Sequence, residues 1–168
     1  MIASKRPGTT DLKYYRDPKH GFSMVYPEPW HAFDLVGAEG RLFSERKDDH
    51  ATCIAVEITP LPAPVTADDL PLLRRAFLRG LRSAPGSRIL RRDDYDVGWA
   101  VGLEAVQLFD EGGARRKRWV RVLYHKQHQY RLVAQGRSPE EFDRWLVDFK
   151  PAMTSFKFDG GVAPAYPE

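Results

Sequence analysis

Two histidines beside a predicted turn are the side chains whose type and spacing come nearest to a metal site. His125 and His128 are three positions apart, and neutral imidazole is a common ligand of zinc and copper. Two ligands are too few to hold an ion, so a third would have to come from another turn at the same end of the sheet. The candidates for that ligand are Asp93, Asp94 and Asp96.

Nucleophilic catalysis requires a serine, cysteine or threonine beside a histidine that a carboxylate orients. The sequence contains no G-x-S-x-G elbow. Its single cysteine, Cys53, lies in the apolar run 51–58, where a small buried side chain without a disulfide partner is expected. Four carboxylates are interpreted as turn and surface residues, Asp48, Asp49, Glu57 and Glu104. We therefore expect neither an enzyme nor a cofactor.

Basic residues form two clusters in a chain that has 26 lysines and arginines against 23 acidic residues. Because the net charge is only +3, the clusters are more informative than the total charge about a surface for an acidic partner. One predicted partner-binding cluster lies on a strand and consists of Arg115, Arg116, Arg118 and Arg121. The second lies on a helix and consists of Arg75, Arg79 and Arg82.

The aromatic residues near the first cluster argue against a nucleic-acid partner. Trp119 and Tyr124 have opposite parity on one strand, so they should point to opposite faces and cannot form one base-stacking platform. An acidic protein suits the arginines better, and peripheral association with an anionic surface is a related prediction.

The elements that position these side chains start with short strands. Alternating apolar residues between turn residues predict a meander of antiparallel neighbours at 21–26, 31–36, 41–46 and 52–59. Phe22, Met24 and Tyr26 share one face of the first strand, which Pro27 ends. A second block with hairpin turns is predicted at 88–95, 98–109, 116–124 and 129–135, and a short closing strand at 154–158.

Two predicted helices accompany the strands. The first should begin after the N-cap Thr66, and the second after the N-cap Ser138, with Glu141 closing a capping box and Pro151 ending the helix. Each helix has an apolar stripe that should dock on the sheet. The stripe of the first helix consists of Leu70, Leu73, Phe77 and Leu81, and that of the second of Phe142, Trp145, Leu146 and Phe149. Core positions are also predicted for the tryptophans Trp30, Trp99, Trp119 and Trp145.

A length of 168 residues suits one compact domain. Residues 1–13 and 159–168 have no hydrophobic period, so they are predicted to be flexible tails around a single domain at 14–158. No stretch has the roughly 18 apolar residues of a transmembrane segment, and the first residues lack the apolar core of a secretory signal. The sequence does not determine the cellular compartment, and the cytoplasm is expected if Met1 is the native start.

Several of these stretches together resemble one known family. They are YRDPKHGFSMVYPEPW at 15–30, the 98–109 strand after a helix, the strand with Tyr130, the SPEEF helix start, and the closing run 153–156. In this order they resemble the PsbP-like domains, which are the extrinsic photosystem II proteins and their bacterial relatives. These share a fold with the Mog-type Ran-binding import factor. The resemblance covers about residues 14–158.

This resemblance implies an α+β fold, an α/β/α sandwich with a central antiparallel sheet. Known members mostly bind other proteins without catalysis, as a photosystem accessory subunit, a GTPase partner or chaperones of secreted effectors. The leading hypothesis is therefore a non-catalytic binding or accessory protein that engages an acidic protein partner through a basic surface. The alternatives are a metal-binding or carrier protein using His125 and His128, and a secretion-effector chaperone with a hydrophobic groove.

Overall fold

The computed structural model describes residues 11–96 and 101–159 of the chain. These residues form ten strands, two α-helices and a short 3-10 turn at Ala67–Asp69. The strands are β1 (Leu12–Asp17), β2 (Phe22–Pro27), β3 (His31–Asp34), β4 (Glu39–Ser44), β5 (Cys53–Pro60), β6 (Arg88–Asp96), β7 (Val101–Glu111), β8 (Ala114–His125), β9 (His128–Gly136) and β10 (Lys157–Phe158). The helices are α1 (Leu70–Arg82) and α2 (Pro139–Ser155).

A seven-stranded antiparallel sheet joins the two predicted strand blocks. Its order is β3-β4-β5-β9-β8-β7-β6. The β7–β8 and β8–β9 hairpins form the second block, as their turn residues predict. The two blocks meet where β5 pairs with β9, from Cys53 opposite Gln135 to Pro60 opposite His128.

A smaller sheet places β2 between β1 and β10. The predicted meander is therefore wrong for its first strand, because β2 pairs with β1 and β10 and not with β3. Pro27 is the last residue of β2 and Pro29 follows it, and Trp30 N donates to the Pro27 carbonyl at 3.0 Å in the turn that leads to the larger sheet. β1 begins at Leu12, inside the stretch expected to be the N-terminal tail.

One face of the large sheet, named here the α2 face, carries the larger core under α2 and the small sheet. Successive residues of a strand point to opposite faces, and Trp119 and Leu123 of β8 point to this one. Trp30 packs edge-on against Trp145 with ring centroids 4.9 Å apart. The predicted burial is confirmed for Trp30, Trp119 and Trp145, whereas Trp99 lies outside the described residues.

The opposite face, named the α1 face, carries a second core. Val120 and Val122 of β8 pack here with Leu78 and Leu81 of α1. The structure adds Leu78 to the predicted stripe, while its other members, Leu70, Leu73 and Phe77, are partly buried against the same cluster. Because the two helices cover opposite faces of one antiparallel sheet, the predicted α+β fold, an α/β/α sandwich, is confirmed.

Local hydrogen bonds define the beginnings of both helices. Thr66 is the N-cap of the 3-10 turn that leads into α1, and its backbone N donates to Asp69 Oδ2 at 2.9 Å. Glu141 N donates to Ser138 Oγ at 3.1 Å, which confirms Ser138 as the N-cap of α2. The Glu141 carboxylate does not complete the predicted capping box but lies 3.5 Å from Arg144.

The end of α2 differs from the prediction. Pro151 lies inside the helix, which continues to Ser155. Pro151 cannot donate a backbone hydrogen bond, but Ala152 and Met153 are fully buried in the α2-face core, and their packing holds the last turn. The closing strand is consequently reduced to Lys157–Phe158. Neither helix in the described part of the chain has the length and hydropathy needed to cross a bilayer.

Candidate functional site

The basic run 115–118 does not form one patch, because the alternation of β8 divides it between two faces. Arg116 and Arg118 pair in register with α1-face residues of β7. Lys117 points to the other side, where its Nζ lies 2.7 Å from Asp143 of α2. A partner that approaches either face therefore meets only part of the run.

Two arginines of this run are paired with carboxylates of their own hairpin. Arg115 Nη1 lies 3.0 Å from Asp110 Oδ1 and also donates to the Gly86 carbonyl at 2.5 Å. Arg116 Nη1 lies 3.3 Å from Glu111 Oε1, and only 15% of its side chain is exposed. Ion pairing of this kind reduces the attraction that either arginine exerts on an external anion.

Arg121 lies in the core, and the surface role predicted for it is wrong. Its side chain is 0% exposed. Its Nη1 donates to the Met153 carbonyl at 2.7 Å, and its Nε lies 3.9 Å from Glu104 Oε2. The parity of β8 directs Arg121 beneath α2, so it joins the strand to the last turn of the helix and cannot meet a partner.

Glu104 is also buried, which corrects its interpretation as a surface carboxylate. Its Oε1 accepts hydrogen bonds from Trp119 Nε1 at 2.5 Å and from Arg91 Nη2 at 2.9 Å. Together with Arg121 these donors compensate a buried negative charge, as a structural polar network does. Asp49 fits its prediction better, because it lies in a turn where it pairs with Arg137.

Cys53 occupies the buried position that its apolar surroundings predict. It is a free thiol on β5. Burial raises the pKa of Cys53 to about 12, so the reactive thiolate does not form at neutral pH. The predicted role as a small buried side chain is confirmed.

The arginines of α1 keep the exposure that a binding surface requires. Arg75, Arg79 and Arg82 follow i, i+4, i+7 spacing, so they share one side of the helix, and all three are exposed. Among the side chains that the structure describes, no carboxylate lies at ion-pair distance from any of them. The neighbouring Arg74, by contrast, pairs with Asp94. We name Arg75, Arg79 and Arg82 the α1 stripe.

The β8–β9 hairpin places His125 directly opposite His128. The His125 ring stacks on Phe158 with ring centroids 4.0 Å apart, and burial lowers the pKa of His125. The neutral imidazole that binds metals is thereby favoured. No cluster of three or more His, Cys, Asp or Glu side chains that could hold a metal is present in the described ranges. Asp94, one proposed third ligand, pairs with Arg74 instead.

Grooves lie on both faces of the large sheet. An apolar groove of about 480 Å³ lies beside α2 on the α2 face, and its apolar lining is Leu90, Val106, Trp119, Phe142 and Leu146. A second groove of about 300 Å³ lies between α1 and strands β8 and β9 on the α1 face. Its polar lining is Arg118, Tyr124, Gln129 and Arg131.

Arg131 in the second groove is a residue that the sequence reasoning missed. Strand parity could have indicated that Arg131 points to the same face as Arg118. Arg131 lies opposite Val122, and Arg118 lies four residues before Val122 on β8, so all three point to the α1 face. Clustering along the sequence could not reveal this pair, because a hairpin separates the two arginines.

This chain is similar to known proteins in its structure. No protein-family model matches it, and no curated protein is similar enough in sequence to count as a relative. Cyanobacterial PsbP (CyanoP) from Synechocystis has a TM-score of 0.65 at 16% identity, over 93% of this chain and 98% of that one. LpqN of Mycobacterium tuberculosis, involved in cell envelope biogenesis, has a TM-score of 0.61 at 12% identity, over 90% and 92%.

A eukaryotic protein shows the same likeness. The Ran-binding protein Mog1p of Saccharomyces cerevisiae has a TM-score of 0.57 at 8% identity, over 93% of this chain and 100% of that one. At such low identities the likeness concerns the fold, and it extends over almost the whole length of each protein. The resemblance found in the sequence motifs is therefore confirmed at the level of architecture, and the chain has the PsbP/Mog-like fold.

Proposed function

We propose that this chain is a non-catalytic binding protein that engages an acidic protein partner through the α1 stripe. The observation that carries the proposal is the exposure of Arg75, Arg79 and Arg82 along one side of α1, with no carboxylate of the described residues at ion-pair distance. An arginine without an internal partner retains its donors for an external carboxylate, which it can bind through two parallel hydrogen bonds.

The structural neighbours support a binding role. Mog1p is a Ran-binding protein, so the same architecture serves elsewhere as a protein-binding module. The internal chemistry of this chain agrees with that role, because its buried thiol and its buried Glu104 network are directed to packing.

The proposal is tested by reversing the charge of the α1 stripe. The variant Arg75→Glu, Arg79→Glu, Arg82→Glu and the unmodified chain are tagged and used to capture proteins from a lysate of the source organism at low and moderate salt. We expect a partner that the unmodified chain retains at low salt, that moderate salt weakens by screening, and that the variant loses.

A matched control carries the same change of net charge at other exposed positions, namely Lys47→Glu, Lys150→Glu and Lys157→Glu. It should retain the partner. Equal capture by the stripe variant and the unmodified chain would contradict the proposal. So would the absence of any protein partner combined with binding to anionic lipid vesicles, since that result would move the function to a membrane surface.

The histidine pair supports a second candidate, a metal-binding or carrier protein. The favourable observation is the register that sets His125 opposite His128 at the end of the β8–β9 hairpin. Metal analysis of the purified chain, before and after replacement of both histidines by alanine, tests this candidate. Stoichiometric zinc or copper that disappears in the double variant would support it, and an unchanged metal content would exclude these two ligands.

The apolar groove beside α2 supports the third candidate, a chaperone of a secreted effector. Leu90, which is 44% exposed, lines this groove. An environment-sensitive dye should bind the native chain if the groove is accessible, and Leu146→Glu should abolish the signal. Dye binding that survives Leu146→Glu would point to a different apolar surface.

A further inference from the structure

Three polar groups of the groove on the α1 face have unused hydrogen-bonding capacity. The Arg118 guanidinium lies over the Phe109 ring, 4.3 Å from its centroid, and donates from Nε to Gln107 Oε1 at 2.8 Å. Its two Nη groups have no hydrogen-bond partner among the described residues. Arg131 and the Tyr124 hydroxyl make no hydrogen bond or ion pair with any described residue. None of these unpaired atoms is fully buried, so all three groups can donate to a ligand that enters the groove.

The two arginines also repel each other. Burial and then the positive charge of Arg131 lower the pKa of Arg118 to about 10, and burial lowers the pKa of Arg131 as well. Both side chains stay charged at neutral pH. Glu57 lies opposite Arg131 on β5 but beyond ion-pair distance. An anion bound between the two guanidiniums would remove the repulsion and would satisfy both donors.

The walls of the groove are suited to an organic molecule. Phe77 and Leu81 of α1 and Val122 of β8 supply an apolar surface. Gly80 keeps the space between α1 and the sheet open, because a Cβ atom added to it would meet nothing within 4 Å. A volume of about 300 Å³ lies at the lower end of the range of small-molecule sites.

We propose that this groove binds a small organic anion, whose carboxylate or phosphate group lies between Arg118 and Arg131 and whose apolar body contacts Phe77, Leu81 and Val122. The Tyr124 hydroxyl donates a further hydrogen bond to the anion. Burial raises the pKa of Tyr124, which keeps this hydroxyl protonated. The groove is distinct from the α1 stripe, so the site adds ligand binding to the proposed partner binding.

The test uses benzoate and phenyl phosphate as organic probes in isothermal titration calorimetry of the full chain. Inorganic phosphate is the anion without an apolar body, benzyl alcohol is the body without a charge, and sodium chloride matches the ionic strength. We expect saturable binding of at least one organic anion. Its Kd should be smaller than that of inorganic phosphate, and benzyl alcohol should not bind measurably.

Variants distinguish the contribution of the arginine charges to anion binding from that of the shape of the groove. Arg131→Met should weaken the organic anion by about tenfold or more, since a charge-assisted hydrogen bond contributes that much. Gly80→Leu should weaken it to a similar extent by filling the groove while leaving both arginines in place. Arg144→Met removes an exposed arginine of α2, on the opposite face of the sheet, and should leave the Kd unchanged.

Three results would overturn the proposal. These are the lack of saturable binding by both organic anions, equal affinity for inorganic phosphate and the organic anions, and an unchanged Kd in both Arg131→Met and Gly80→Leu. Circular dichroism verifies the fold of each variant. Because the α1-stripe variant retains Arg118 and Arg131, it should lose the protein partner and keep anion binding. Retained partner capture would contradict only the partner proposal, and lack of anion binding by the unmodified chain would contradict only the groove proposal.

Discussion

The arginines of β8 have different roles although they lie on one strand. Arg115 lies at the surface with Asp110, Arg118 enters the groove on the α1 face, and Arg121 lies 0% exposed beneath α2. A charged side chain in the core is tolerated only where other groups compensate it. The Met153 carbonyl and Glu104 provide that compensation for Arg121.

Removal of Arg121 should therefore damage stability and not recognition. Arg121→Ala leaves Glu104 with one fewer positive neighbour and opens a cavity under α2, so we expect the free energy of unfolding to fall by about 3–5 kcal/mol. Arg115→Ala, the exposed control, should change it by less than about 1 kcal/mol. Urea unfolding followed by circular dichroism measures both values. A loss below that of the control would mean that Arg121 is not held in the core.

Asp17 should make stability depend on acid pH. Burial raises the pKa of Asp17, but hydrogen bonds from the His20 backbone amide, the His20 side chain and the Tyr15 hydroxyl outweigh it, and the net pKa lies below its usual value. The stabilisation is therefore complete above the unfolded-state pKa of about 3.9 and is lost as the pH falls through the folded-state pKa.

The measurement for Asp17 is the free energy of unfolding between pH 6 and pH 2.5, in the unmodified chain and in Asp17→Asn. The unmodified chain should be the more stable one at pH 6. The difference between the two chains should shrink toward the acid end, because protonation removes the charge that the hydrogen bonds stabilise. A difference that stays constant over this range would show that the Asp17 charge does not contribute.

At the scale of single elements, two glycines have opposite surroundings. Gly80 lies in the last turn of α1, where an added Cβ would meet open space, whereas a Cβ at Gly136 would clash with the backbone nitrogen of Phe142 in α2. The first position only lowers the helix propensity of α1. The second lets β9 and the first turn of α2 approach each other closely.

Alanine should consequently have opposite effects at these two positions. Gly80→Ala should raise the free energy of unfolding by about 0.5–1 kcal/mol, because alanine loses less backbone entropy in a helix. Gly136→Ala should lower it, because β9 and α2 must separate to admit the methyl group. Thermal unfolding of the two variants tests both signs. Stabilisation by Gly136→Ala would contradict the close contact.

For the whole molecule, the two cores share the same strands. Val120 of β8 belongs to the α1-face core, and its neighbours Trp119 and Arg121 point into the α2-face core. A disturbance of one core therefore strains the backbone that the other core needs. The molecule should unfold as one unit, although its helices lie on opposite sides.

Two core variants test this coupling. Trp145→Ala under α2 should lower the free energy of unfolding by about 3–5 kcal/mol and Leu81→Ala under α1 by about 2–5 kcal/mol. In each variant, tryptophan fluorescence and far-ultraviolet circular dichroism should report one coincident transition. Two separated transitions would show that the cores unfold independently. A loss well below 3 kcal/mol for Trp145→Ala would contradict its docking on the sheet.

The amino-acid sequence by itself determined the features that depend on neighbouring residues. Strand parity, turn residues and the N-cap Ser138 are written within a few positions of one another, so the alternation around Trp119 and the start of α2 could be predicted. The short motifs that resemble PsbP-like domains also lie in local stretches, and they indicated the α/β/α sandwich. Pro151 shows the limit of local rules, because burial of the residues after it outweighs the hydrogen bond that it cannot donate.

Only the tertiary structure decided which charged residues are buried and which meet. The burial of Arg121 and Glu104 depends on the covering position of α2. The pairing of Arg118 with Arg131 in one groove depends on the register of β8 and β9 and on the placement of α1. Register and packing join residues that are distant along the chain, and no local pattern encodes those distances. The division of the arginines into structural, ligand-facing and exposed groups therefore follows from the packed fold.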